Sequence, residues 1–244
     1  MAIAHRLAAL ALGMALAWAA PAAAQTPTAD ELVAKYLAAR GGQDKIKAVN
    51  TARIAGNLST QGMDMALSVT TKRPNKMRQE IAMQGQKMIQ AFDGVTVWGV
   101  NPMTGDTTPK TLDGPQADLI RTQSLFDGPL VGYKERGDTL EVVGPATVEG
   151  AKAWNLKLTR KDGKSMNIML DAETGLERQW TTTMDQGGMT LEIQTLMGDY
   201  QVTDGLQVAR SMKTMMGGQQ VATLSFTSVE FNVPVDDAEF AMPK

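Results

Sequence analysis

Cysteine is absent from the 244 residues, and the only histidine is His5. No disulfide can form, and beyond His5 there is neither thiol nor imidazole for the usual zinc sites, a thiol nucleophile or a Ser-His-Asp triad. There is no G-x-S-x-G elbow, no phosphate-binding loop, no G-x-G-x-x-G and no Ser followed three residues later by Lys. Charge of one sign is also lacking. The 24 Lys and Arg are scattered and balanced by 26 Asp and Glu, so no basic field invites nucleic acid. Carboxylates remain, with Asp185, Asp236 and Asp237 the best candidates for acid or base work. The Asp236-Asp237-Glu239 group lacks the alternating oxygen ligands and central glycine of a calcium loop and reads as a solvated turn before Phe240. The expectation is a protein that is not an enzyme, with no metal and no cofactor.

A long apolar run occurs once, from Leu7 to Ala20. It follows Arg6 and precedes Ala22 and Ala24, the order of charge, apolar stretch and small residues that marks a secretory signal peptide. Cleavage is expected after Ala24, leaving residues 25–244 as one soluble domain in the periplasm. Without an amino-terminal cysteine, a lipid-modified product is not expected.

Helical spacing comes first in the mature chain. Thr28 and Glu31 have the spacing of a capping box, Leu32, Val33, Tyr36 and Leu37 share one helix face, and Gly41-Gly42 supplies the stop. A shorter helical piece runs from Gln43 to Val49. From Thr51 the period shortens to two, the signature of strands. Met63, Met65, Leu67 and Val69 alternate with polar residues, and so do Met77, Ile81 and Met83. The pattern returns at Trp154, Leu156 and Leu158, at Ile168 and Leu170, around Trp180, and at Leu191 and Ile193. Turns rich in glycine separate these segments. About ten or eleven strands are expected, a number that must curl into a barrel or split into two sheets. Between two groups of strands, Pro115 opens a helix carrying Leu119, Ile120 and Phe126, with Gly128-Pro129 as its stop. It serves either as a lid over an open sheet or as a connector that fills the core.

Aromatic residues make up only 5% of the chain, whereas methionine occurs seventeen times. Two of these, Met1 and Met14, precede residue 25, which leaves fifteen. Flexible thioethers re-pack around guests of varied shape, so Met on alternating strand positions suits either an adaptable core or an apolar cavity. The cavity candidates are Met63, Met65, Leu67, Val69, Met77, Ile81, Met83, Trp98, Trp154, Leu156, Leu158, Ile168, Leu170, Trp180, Leu191 and Ile193.

Several segments, taken in order, resemble the LolA/LolB-like and RseB-like outer-membrane lipoprotein-sorting proteins. They are Tyr36-Leu37-Ala38-Ala39-Arg40-Gly41-Gly42 with Ile46 and Val49, and Phe92-Asp93-Gly94 with Trp98 and Asn101-Pro102. Leu170-Asp171 with Gly175-Leu176, Gly198 with Tyr200, Asp204-Gly205-Leu206, and Asn232 to Asp237 with Phe240 and Pro243 complete the set. The resemblance implies an unclosed antiparallel β-barrel whose apolar concave face, covered by α-helices, receives acyl chains of lipoproteins or other lipids. It also implies a soluble, monomeric LolA-type carrier working between an inner-membrane donor and an outer-membrane acceptor. The alternative is an envelope sensor or adaptor that binds a lipidated or unfolded protein segment.

Overall fold

The computed structural model describes residues 26–186 and 188–243; the leader and the expected cleavage site lie outside the described residues. Helix α1 (Ala29–Arg40) starts at Thr28, whose hydroxyl accepts the Glu31 amide while the Glu31 side chain returns to the Thr28 backbone. It ends at Gly41, which takes the left-handed conformation with φ 115°. Helix α2 (Gln43–Ala48) follows directly.

Thirteen strands then form one antiparallel sheet. They are β1 (Thr51–Thr60), β2 (Met63–Lys72), β3 (Lys76–Met83), β4 (Gln86–Phe92), β5 (Val97–Asn101) and β6 (Asp106–Thr111), followed after α3 (Gly114–Gln123) by β7 (Thr139–Val148), β8 (Ala151–Thr159), β9 (Ser165–Asp171), β10 (Glu177–Gln186), β11 (Met189–Thr203), β12 (Leu206–Met216) and β13 (Gln219–Phe231). Their order is β6-β5-β4-β3-β2-β1-β13-β12-β11-β10-β9-β8-β7. The two halves are meanders joined where β1 pairs with β13, and β6 and β7 are left as edges. Pro109 in β6 and Pro145 in β7 lie on these edges, where a missing amide costs little and deters further pairing. The sheet is an unclosed barrel, as the resemblance implied and as one of the two outcomes the strand pattern left open, with two or three strands more than the alternation resolves.

Helix α3 bridges the gap between the halves. Its Ala117 and Ile120 pack with Met77, Phe92 and Val97 of the first half. Across the gap, Asp118 pairs with Lys164 at 2.5 Å, and Thr122 accepts a hydrogen bond from Arg160 at 2.7 Å. The helix ends at Gln123, before Phe126, and Phe126, Leu130 and Val131 pack instead with the cluster beneath α1. No helix among the described residues is long and apolar enough to cross a membrane.

Candidate functional site

The inner face of the sheet is the one that meets the helices. Strand pairing carries a row of apolar side chains across the middle of it. Met65 stands opposite Leu58, Leu58 opposite Leu224, Leu224 opposite Met212, and Met212 opposite Met197. A second row holds Met88, Ile81, Leu67, Gly56 and Phe226. Met65, Leu67 and Ile81 are buried, and Leu58, Val69, Met83, Met88, Leu224 and Phe226 pack around them half-buried. No helix residue belongs to this cluster. It is the part of the inner face built from strand side chains alone.

The remaining candidates fall into different surroundings. Met77 lies under α3, and Val69 touches both that cluster and the strand-only one. Leu156, Leu158, Ile168 and Leu170 are fully buried beneath Leu32, Val33 and Tyr36 of α1, Ile46 of α2, and Leu130 to Tyr133, with Trp154 and Trp180 packed alongside. These six plug one end of the barrel. Leu191 and Ile193 are half-buried near the opposite end of β11, where Ile193 faces Met216, and Met63 is 45% exposed beside the turn joining β1 to β2.

Trp98 requires a correction. It pairs with Ala91 in β4, out of phase with Phe92 and Val97, so it lies on the outer face. There its Nε1 donates to the Phe240 carbonyl at 2.7 Å, and Arg78 stacks over its ring. The lid candidates separate likewise. Ile120 is buried, Leu119 is 47% exposed, and Phe126 packs against the plug.

Two polar arrangements hold the plug in place. Arg73, in the turn after β2, donates to the carbonyls of Val49 and Ile46 at 2.6 and 2.9 Å and forks onto Asp127 at 2.7 and 2.5 Å. Its guanidinium also lies over the Phe126 ring at 4.7 Å. One side chain thus ties α2 to the segment leaving α3. The second arrangement is a buried cluster under α1. Arg40 donates to the Tyr36 hydroxyl at 2.7 Å, beside Glu177 and Trp180 of β10. Burial raises the Glu177 carboxyl above its ordinary value despite the neighbouring Arg40 charge. For Arg40 burial works toward a lower value, but Tyr36 and Glu177 outweigh it and the guanidinium stays charged. Sequence reasoning missed Met88, Leu58, Leu224, Phe226, Met212 and Met197, because isolated apolar residues in β1, β4, β11, β12 and β13 only become a row once register is known.

Two of the three carboxylates considered for catalysis, Asp236 and Asp237, have structural work, as does their neighbour Glu239. Asp237 joins Lys72 and Lys76, each at 2.8 Å, which lowers its carboxyl to about 2. Asp236 accepts from the Ala238 amide, and Glu239 pairs with Arg53. The turn is therefore tied down by ion pairs as well as by the burial of Phe240. A pocket of about 560 Å³ lies here on the outer face, between the tail and Arg53, Ser68, Thr70, Arg78 and Glu80. The side chain of Asp185 lies outside the described residues. Among the described residues, no group of three or more His, Asp or Glu converges for a metal.

No family model and no curated protein sequence matches the chain. Solved structures do. A LolA superfamily protein from Nitrosomonas europaea aligns with a TM-score of 0.61 at 11% identity, covering 88% of this chain and 98% of that one. The chain has a LolA/LolB-like fold. A DUF1329 family protein from Desulfovibrio piger shares this LolA/LolB-like fold with a TM-score of 0.60, 12% identity and the same coverage. A domain from Vibrio parahaemolyticus assigned to outer-membrane lipoprotein sorting aligns at 0.52, with 13% identity over 85% of this chain and 97% of that one. At such identities the likeness is one of backbone, so the site is argued from the side chains of this chain.

Proposed function

We propose that the protein is an exported carrier, not an enzyme, that holds acyl chains of lipoproteins or other lipids on its inner face. The observation that carries this reading is the inner-face cluster of Met65, Leu67 and Ile81 with Leu58, Met83, Met88, Leu224 and Phe226 packed around them, which contains no helix residue, and which strand pairing continues through Leu224 to Met212 and Met197. An extended hydrocarbon chain needs such a strip: apolar, continuous and lined by side chains that can re-pack. Each methylene transferred from water onto it contributes about 0.8 kcal/mol, so a long acyl chain can be held without any charged contact. The sorting role assigned to the Vibrio domain of the same fold supports this choice of ligand. The work is placed in the periplasm, between a donor at the inner membrane and an acceptor at the outer one.

The test is titration of the delipidated mature protein with a fluorescent fatty acid. Saturable uptake, displaced by phospholipid or a lipidated peptide and lost in Leu67→Glu, is the expected result. Uptake that survives that substitution would place the site elsewhere. Absence of uptake together with a stable protein partner would favour the adaptor reading instead.

A further inference from the structure

The two ends of the barrel carry different turns. Alternate strands of the sheet run the same way, so β1, β3, β5, β10 and β12 deliver their turns to the end opposite the plug. These turns are Gln61-Gly62, Gln84-Gly85, Pro102–Thr104 with Gly105, Gly188, and Gly217-Gly218, and among the described residues none of them holds a charge. The remaining turn at this end, Arg160 to Lys164, is charged, but its Arg160 and Lys164 are engaged with Thr122 and Asp118 of α3. At the plugged end every turn between strands has a charged residue: Arg73, Asp93, Glu149, Glu173 and Asp204. The exposed methionines of the described chain, Met63 at 45%, Met103 at 62% and Met189 at 67%, all stand at the uncharged end. Just inside them, register sets Met184 opposite Leu191 and Ile193 opposite Met216. Asp64 and Lys87, beside two of these turns, point to the outer face, where Asp64 accepts from Ser59 and Lys87 pairs with Glu80 at 2.8 Å.

We propose that this uncharged, methionine-tipped rim docks on the surface of an electrically neutral phospholipid bilayer, with the plugged end held in water. The inference rests on the carrier reading for its purpose, since the acyl chains to be carried reside in bilayers. The rim is continuous with the strand-only strip. Met63 lies two residues, about 7 Å, from Met65, and Met83, next to the β3–β4 turn, itself packs in the strip cluster. A hydrocarbon chain drawn from a bilayer at the rim therefore meets apolar side chains on its way in, without crossing a charged collar. Turns that carry no charge lose no ionic hydration on entering the headgroup region, and exposed methionines supply apolar area that adapts to it. Without Lys or Arg, these turns also lack the attraction by which basic segments favour anionic lipid, so neutral lipid is the surface they match. The charged turns of the plugged end stay hydrated, and the contrast between the ends fixes the orientation.

The chain lacks cysteine, so a single introduced thiol can carry a polarity-sensitive dye. Gln86→Cys and Gln219→Cys report on the rim, and Val95→Cys and Glu173→Cys on the plugged end; all four positions are exposed. With phosphatidylcholine vesicles, brighter and blue-shifted emission is expected from the first pair and no change from the second, and phosphatidylglycerol in the vesicles should not be required. Met103→Gln combined with Met189→Gln should weaken vesicle binding several-fold and leave uptake of a fatty acid from solution unchanged, because neither residue belongs to the strip cluster. A response alike at both ends, or only with phosphatidylglycerol, would overturn the proposal, as would unaltered vesicle binding in the double variant. No response at any position, with fatty-acid uptake intact, would also overturn it and leave the rim to a protein partner. A rim that responds in a protein unable to take up fatty acid would support the docking and count against the carrier reading alone.

Discussion

Leu67 sits at 4% exposure among Met65, Ile81 and Phe226, and at this position a carboxylate would meet apolar neighbours. Leu67→Glu should lower stability by about 3–5 kcal/mol, or leave a protonated glutamate, because an unpaired charge is costly in such surroundings; thermal unfolding at neutral pH reads the loss. Two carboxylates predict opposite responses to acid. Burial works to raise Asp171, but the Thr174 and Glu173 amides and Arg178 outweigh it and bring the carboxyl from 3.8 to about 2. Its contribution is therefore complete above 3.8 and is lost as pH falls toward 2. Glu177, raised above 4.5 by burial, contributes most below 4.5, and that contribution is lost as pH rises through its folded value. Stability measured across pH should thus lose part of its acid slope in Asp171→Asn, and Glu177→Gln should lose the component of opposite sign. Neither carboxylate could be singled out from the sequence. Asp171 entered only as one of the residues that carry the family resemblance, and Glu177 is buried beside Tyr36 and Arg40 of α1.

Both ends of α1 and the start of α3 were legible in the chain because their signals are local, whereas α3 stops at Gln123, short of the expected Gly128-Pro129. The Thr28–Glu31 box and Gly41 stop of α1 stand where the residues place them, as does Pro115 at the start of α3. Gly41 is also needed for packing, since a Cβ there would come within 2.3 Å of the Gly205 carbonyl oxygen while holding φ at 115°. Gly41→Ala should cost about 2 kcal/mol or more from strain and clash together, read as a fall in the denaturation midpoint. The clasp around Arg73 was not legible, because it joins residues far apart in sequence, Ile46, Val49 and Asp127. Arg73→Ala should destabilise by about 2–3 kcal/mol, from lost charged hydrogen bonds and a stranded Asp127. Hydrogen exchange should quicken in α2 and around Phe126 before it does in the strands. Arg73→Lys should rescue little, since an ammonium cannot fork onto the carboxylate and reach two carbonyls.

At the scale of the molecule, alternation in Met63 to Val69 and Leu156 to Leu170 was enough to announce a barrel or two packed sheets, and the family resemblance was needed to point to the unclosed barrel. Alternation was not enough to say which inward side chains pack only against other strands and which lie beneath helices. Leu156 and Ile168 read the same way in sequence as Leu67 and Ile81, yet the first pair lies beneath α1 and the second pair does not. Trp98 shows the converse, an aromatic residue in a strand whose face is decided by pairing and by a tail that returns from Asn232 to cover it. Division of the inner face into a plugged end and a strand-only strip is the feature from which the carrier reading follows. Native mass spectrometry of the protein, purified gently from the cells that make it and followed by lipid extraction, tests that reading most directly. The account predicts a population heavier by the mass of an acyl-bearing lipid, absent from Leu67→Glu. A protein recovered only at its own mass, and still unable to take up a fatty acid after delipidation, would contradict it.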